Sequence, residues 1–523
     1  MEIPHSNPLW FKRYSNFSLG FLFSTFSFAG IISVPSDYNT IQAAIDAANS
    51  GDTILIADGI FSGPSNKNLS WDASQKHLII KSENGYSNCI LDCEYSGRGF
   101  NLNQGQNYFD VIDGLTIKNG WAVTINPVLK GGGAILCDSA SPEIKNCFFL
   151  HNIAGDSINS YTAHSYWSDG GAIDILGSPG IGPNIHNNVF ENNFASHTGG
   201  ALHYWNAGGN LINNYFLSNQ NNGCYGGGAI ALAYTSNPKI IGNIIARNNA
   251  TYYYSGGYGG GIICLNSNPI IANNTIFGNG TFNKEYNEYG EGGGIRIRGL
   301  PSPKLINNII WDNHSRVDSL DNLDFQYPQW TLDISYCSLG GGLFAINSYQ
   351  PSTNYFSNPL LMDTTNNNFQ LLAGSPCINA GSSTGISGYL PIKDYLNNQR
   401  INNGEIDIGA FEFQLSSSFT NEKFSEITGD FIIYPNPFND YLNIVFNSEN
   451  SNFSYNIFNN LWEKVISFCP KMYEEDNFLN FENSPSTKNE KKLTLYLSSI
   501  PSGLYFIKAG TEGKTVVKKI FKE

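Results

Sequence analysis

Gly170-Gly171-Ala172-Ile173 is followed by Gly199-Gly200-Ala201-Leu202 and Gly227-Gly228-Ala229-Ile230. The same cadence begins at Gly132-Gly133-Ala134-Ile135 and continues at Gly259-Gly260-Gly261-Ile262 and Gly292-Gly293-Gly294-Ile295. Successive starts lie 28 to 38 residues apart. Downstream of each start a second column recurs: Asn146, Asn188, Asn214, Asn243, Asn274 and Asn308. Five residues further stands a third: His151, Asn193, Asn219, Asn248, Asn279 and Asn313. A fixed cadence of this kind is the signature of a repeat architecture, in which a single unit cannot bury its apolar face and stacked units share one core. Each unit holds short β-favouring runs, such as Ile135-Leu136-Cys137 and Cys147-Phe148-Phe149, broken by Gly, Pro and Asn. Asn tolerates the left-handed backbone that a sharp bend between strands needs, and identical Asn side chains can hydrogen-bond along a stack. The reading is a right-handed parallel β-helix with one coil per unit, its hand taken from the rule for parallel crossovers.

Less regular coils precede the clear ones at Thr53-Ile54-Leu55-Ile56, Leu78-Ile79-Ile80 and Phe109 to Leu115. Ahead of them, Thr40 to Asn49 places Ile41, Ala44, Ile45 and Ala48 on one helical face, the pattern of a helix plugging the open end of the stack. Composition agrees. Of 523 residues 68 are Asn and 54 Gly, and charged residues are 14%, against about 25% in an ordinary soluble protein. The net charge of −14 and the absence of a basic stripe exclude nucleic acid as a partner. A hydrophobic content of 41% excludes disorder throughout, and abundant Gly, Asn and aromatics exclude a helical enzyme.

The N-terminus carries Lys12 and Arg13, an apolar run from Phe17 to Ile32, and small residues at Ser27-Phe28-Ala29. This is the layout of a secretory signal peptide over residues 1–29. Nine cysteines leave at least one unpaired, and Cys89 and Cys93 are close enough in sequence to pair. At the other end, Ser416-Ser417-Ser418 marks a linker over 416–431. Beyond it, Tyr434-Pro435-Asn436-Pro437-Phe438, Tyr441-Leu442-Asn443-Ile444 and Ile500-Pro501-Ser502-Gly503-Leu504-Tyr505 alternate apolar residues with turn formers. They predict a small antiparallel β-sandwich, which completes an all-β chain.

Two resemblances follow from these residues. The entry from Ser33-Val34-Pro35 to Ile56, with the Gly-Gly and Asn-Asn coils after it, resembles the pectin-lyase-like right-handed β-helix superfamily over roughly residues 33–360, and the β-helix domain with its capping helix is read as residues 30–365. That superfamily includes lyases, hydrolases, isomerases and noncatalytic surface proteins, so the resemblance implies a fold and leaves the activity open. Gly374-Ser375-Pro376-Cys377-Ile378-Asn379-Ala380-Gly381 and Gly404 to Glu412 are similar to a segment that closes bacterial β-helices, here residues 366–415. Residues 432–523 resemble the C-terminal sorting domain of the Bacteroidetes type IX secretion system. This resemblance implies a partner in the type IX machinery and a secreted or outer cell-surface destination.

Aligning the coils at Gly-Gly gives the columns where chemistry could sit. Side chains alternate along a strand, so the column Leu136, Asp174, His203, Ala231, Ile263 and Arg296 is expected to face outward. The next outward column is Asp138, Leu176, Trp205, Ala233, Leu265 and Arg298. Coils stack about 4.8 Å apart, so Asp174 falls beside His203, with Trp205 next to it. A carboxylate beside an imidazole can orient it as an acid or base, with Asp169 close by; the same pair also reads as a solvated cross-strand charge pair. The loops before Gly-Gly carry Trp167, Tyr252, Tyr253, Tyr254 and Tyr258, whose flat faces with polar tips suit sugar rings. Asp318, Asp321 and Asp324 could hold calcium through oxygen ligands, although their spacing matches no calcium-loop motif, and no zinc motif appears. The expected function is a secreted or surface monomer that binds extracellular polysaccharide or mediates adhesion. The alternative is a polysaccharide lyase or glycoside hydrolase using Asp174, His203 and Asp169.

Overall fold

The structure, a computed structural model, describes residues 29–122, 131–155, 168–178, 180–223, 225–251, 257–281, 290–299, 303–316, 319–326, 332–340, 353–401 and 404–414, with the strands between 431 and 522. Residues 1–28 and 415–430, which take in all but the last residue of the expected signal peptide (1–29) and of the expected linker (416–431), lie outside them. One coil shows the rule. The chain passes through β1 (Ile173–Leu176), crosses to Asn184–His186, turns to Val189–Glu191 and again to Phe194–Ala195. It then returns through Gly199-Gly200 into β2 (Leu202–Trp205), parallel to β1. The next coils add β3 (Ile230–Ala233), β4 (Ile262–Leu265) and β5 (Ile295–Arg298) to the same sheet. The four positions of each coil accumulate into parallel sheets of eight, eleven, ten and five strands, a parallel β-helix. The inward columns are continuous: Ile135, Ile173, Leu202, Ile230, Ile262 and Ile295 are fully buried. Phe149, Phe190 and Phe216 stack face to face with centroids 4.6 Å apart. The early irregular coils enter the eleven-stranded sheet as Thr53–Ile56, Ile79–Ser82 and Val111–Asp113. The helix α1 (Ile41–Ala47) is N-capped by Thr40 and buries Ile41, Ala44 and Ile45 against the first coils.

The Asn columns are the bonds that hold coil to coil. Asn188, Asn214, Asn243, Asn274 and Asn308 are fully buried, and each Nδ2 donates to the next Oδ1 at 2.9–3.0 Å. That same Oδ1 accepts the backbone N–H of the Asn before it, as Asn243 Oδ1 does from Asn214 at 2.9 Å. The second ladder runs Asn152, Asn193, Asn219, Asn248, Asn279, Asn313 and Asn322. Both columns therefore start one residue later than the sequence suggests, at Cys147 and Asn152 and not at Asn146 and His151. The reason is a division of labour at each bend. The residue before the ladder position takes the left-handed conformation, as Asn146 (φ 52°), His151 (φ 54°) and Asn187 (φ 56°) do, and the following residue turns inward. The Gly-Gly bend answers a different constraint. A Cβ on Gly200 would lie 2.1 Å from the carbonyl oxygen of Gly228, and one on Gly171 would lie 2.1 Å from that of Gly200.

Residues 361–414 do not stack as further coils. They lie along the flank, docked on outward-facing Asn residues of the same bends. Asn213 Nδ2 donates to Lys393 O at 3.0 Å, Asn273 to Asp407 O at 2.9 Å and Asn307 to Ser382 O at 2.8 Å. Phe369, Ala410 and Phe411 pack on Ile244 and Ala246, and the fully buried Arg400 donates to Glu412 Oε1 at 2.9 Å. The C-terminal strands form two four-stranded antiparallel sheets, with Leu442, Ile444, Tyr455, Ile457, Tyr505 and Ile507 buried. Cys89 and Cys93 are each buried and not joined in a disulfide, and burial pushes both thiols up to about 12.

The ladder account is tested by Asn243→Ala, which strips two hydrogen bonds from Asn214 and orphans its buried backbone N–H. It is expected to cost ~2–4 kcal/mol in chemical denaturation, against ~1 kcal/mol for Asn192→Ala at an exposed left-handed bend. Equal costs would contradict the ladder.

Candidate functional site

The register places Asp174 directly beside His203, as the columns require. The outward column is nonetheless covered: Asp174 is 2% and His203 1% exposed, and Ala231 and Ile263 are fully buried. The pair is therefore not a solvated surface pair. His203 Nδ1 lies 2.7 Å from Asp174 Oδ1, and the other Asp174 oxygen accepts the Gly131 amide at 2.9 Å. Asp169, in the bend before β1, sits 3.9 Å from His203 Nδ1 through Oδ2 and 2.6 Å from His197 Nδ1 through Oδ1. Two carboxylates thus converge on one imidazole.

The electrostatics follow from burial and these contacts. Burial alone would lower the His203 pKa, but Asp169 and Asp174 outweigh it and hold the imidazole above its ordinary value. Burial would likewise raise Asp169, and the charges of His203 and His197 overcome it, leaving Asp169 below the usual carboxylate range. At Asp174 burial wins over the bond from His203, and its pKa is raised.

This cluster lines one end of a cleft of about 350 Å³. Its lining comes from six successive coils, beginning with Asp169, His197 and His203 and ending with Arg298, Gly299 and Gln326. Five steps of about 4.8 Å make it roughly 24 Å long, parallel to the stack. Midway stand Trp205 and Tyr234, 43% and 56% exposed, with ring centroids 3.8 Å apart. Tyr225 packs edge-on against His197 at 5.2 Å. Tyr234 occupies the position immediately after β3. The matching residues of four other coils are Ser139 (φ 55°), Asn206 (φ 50°), Asn266 (φ 48°) and Gly299 (φ 91°), small or Asn residues suited to left-handed backbone, whereas Gly177 after β1 does not take that conformation. Tyr234 (φ 50°) and Thr235 (φ 60°) both take that conformation, against the preference of an aromatic and a β-branched residue.

Of the residues singled out from sequence, Asp169, His203 and Trp205 line the cleft, and Asp174 supports His203 from β1. Tyr258 stands beside the cleft beneath the Arg298 guanidinium, 5.1 Å from its ring centroid. Trp167, Tyr252, Tyr253 and Tyr254 lie outside the described residues, as does Asp318. Asp324 pairs with Arg296, and Asp321 accepts the Gly292 amide at 2.7 Å, so protein groups already use both carboxylates. Among the described residues no cluster of three or more metal-ligating side chains occurs. Sequence reasoning missed Tyr234, His197 and Gln326 as site residues, while Arg298 stood in its outward column. Extending the aligned columns one residue past the strand would have exposed Tyr234 as an aromatic in a turn column.

Residues 432–523 match the secretion system C-terminal sorting domain. Among curated proteins none matches the chain. The sorting domain engages the type IX secretion machinery and directs the chain to the cell surface or the extracellular space. The stacked parallel sheets agree with the architecture of pectin-lyase-like proteins.

The electrostatics have a signed consequence. Stabilisation from charged His203 is fully present below about pH 6.5 and is lost as pH rises through its elevated folded value. Asp169's contribution is present above about pH 3.9 and is lost as pH falls through its lowered value. In thermal unfolding, wild type is expected to lose its advantage over His203→Gln as pH is raised from 6 to 9. A constant difference across that range would contradict the charged cluster.

Proposed function

We propose that the exported β-helix binds an extracellular polysaccharide chain in this cleft, as a secreted or surface-held glycan-binding or adhesive protein. The observation that carries the reading is Tyr234. A left-handed bend that four other coils fill with Ser, Asn or Gly instead holds an exposed aromatic ring, tilted against Trp205 with centroids 3.8 Å apart beside a long groove. Strained conformations persist where function uses the side chain they aim, and exposed aromatic faces with polar tips suit pyranose rings. Asn266, Gln326 and Arg298 supply polar groups farther along, which could fix the register of the chain.

The test separates stability from binding. Tyr234→Asn relieves the left-handed strain and is expected to stabilise the fold by ~1 kcal/mol. It should at the same time reduce retention of the chain on immobilised polysaccharides, across a panel of xylan, laminarin, chitin, alginate and polygalacturonate. Unchanged retention on a polysaccharide that wild type binds would contradict the reading.

A second reading, a polysaccharide lyase or glycoside hydrolase, draws on the buried Asp174–His203 pair with Asp169 beside it. An imidazole oriented through Nδ1 by a carboxylate can exchange a proton at Nε2. If turnover occurs, Asp174→Asn should slow the shortening of polysaccharide products by about 10²-fold or more, since it misorients the imidazole. Full activity in that variant would remove the assignment.

A further inference from the structure

His203 leaves one atom unexplained. Its Nδ1 is held by Asp174, and its Nε2 is buried with no hydrogen-bond partner among the described residues, although the side chain lines the cleft. A buried polar atom without a partner is costly, and few such atoms persist in native structures without a reason.

The surroundings decide what the missing partner is. Asp174 faces the imidazole from β1, and Asp169 faces it from the bend before β1. His197 stands in the bend entering β2 and is bonded to Asp169. Arg98 acts on Asp174 from an earlier coil, and its Nε donates to the Gly131 and Gly132 carbonyls. On the other side, β3 places Ala231 opposite His203 and brings no charge. With both aspartates ionised and His203 charged, the imidazole carries N–H on both nitrogens, and Nε2 can only donate. The two carboxylates offset the imidazolium and the Arg98 guanidinium, so no net positive charge remains to draw a further anion to this spot.

We propose that His203, in its charged form, donates from Nε2–H to an uncharged acceptor oxygen of the bound saccharide, a ring, glycosidic or acetyl carbonyl oxygen, so that binding is coupled to proton uptake. The inference rests on the glycan-binding reading and adds the ligand atom that this end of the cleft recognises. A hydroxyl would not give the same behaviour. It can accept from the charged ring or donate to the neutral one, and its binding would be indifferent to pH.

The experiment uses the full chain and two neutral probes, acetylated xylan and chitin oligosaccharides, with polygalacturonate as the anionic arm. Retention of wild type on a neutral probe is expected to fall roughly 10- to 100-fold between pH 5.5 and pH 9, the loss of one charged hydrogen bond. His203→Gln keeps an uncharged donor and should bind weakly with a flat profile. Tyr234→Asn should weaken binding equally at every pH and keep the wild-type slope. In parallel, side-chain ¹⁵N NMR of histidine-labelled chain, with His203→Gln for assignment, should show His203 protonated at pH 7 and its Nε2 resonance shifted by the probe. Binding with a flat wild-type profile, preference for polygalacturonate through His203, or a neutral His203 at pH 6 would each overturn the proposal while leaving the glycan cleft standing. No retention on any probe at any pH would overturn both.

Discussion

The hydrogen bond from one asparagine side chain to the asparagine one coil away is the interaction on which the rest of this structure depends. Each link satisfies a buried backbone N–H and, together with strand carbonyls, a buried side-chain amide, and it does so at the spacing that parallel strands also require. A coil that slipped would orphan donors and acceptors in both ladders at once, so the ladders enforce registry that aliphatic stacking alone leaves loose. The glycine bend enforces the same registry by exclusion, since no Cβ fits between Gly200 and the carbonyl above it. Between these fixed bends the eight-stranded sheet becomes a ruler: whatever follows β1 to β5 appears at regular intervals along one face.

That rigidity is what makes the cleft chemically plausible. Charged and strained groups can be held in place only by a scaffold that over-determines them. At one end, Asp169 and Asp174 hold a buried imidazole beside the groove, and midway a tyrosine accepts an unfavourable backbone so that its ring can stand against Trp205. The left-handed tyrosine opposes stability locally. The flank segment 361–414 reinforces the opposite side, where the outward Asn residues of the same bends bind its carbonyls. One Asn of a bend therefore binds coil to coil while its neighbour binds the flank.

The fold was legible because its constraints are backbone constraints, written in residue types with few substitutes. Gly-Gly and Asn-Asn repeat because little else fits, and counting residues from Ile173 and Leu202 put Asp174 opposite His203 before any coordinates. The ladder's starting point was off by one residue, since Asn serves both the left-handed bend and the inward position, and sequence alone does not say which. The site was half legible. Trp205 and His203 fell in the outward columns, but outward along a strand does not mean exposed, and Asp174 and His203 are buried. Tyr234 belongs to a turn, where aromatic content carries no periodic signal, and the flank segment reads like an end closure because its contacts join residues more than a hundred positions apart.

The central claim is that a saccharide chain lies along the eight-stranded sheet, parallel to the stack. The most direct measurement is a crystal structure of the chain with an oligosaccharide from whichever polysaccharide retains it. The expected result is a sugar ring on the Trp205–Tyr234 pair, with the oligosaccharide running from the Asp169–His203 end toward Arg298. An oligosaccharide bound on another face, or lying across the strands with the aromatic pair bare, would contradict the account.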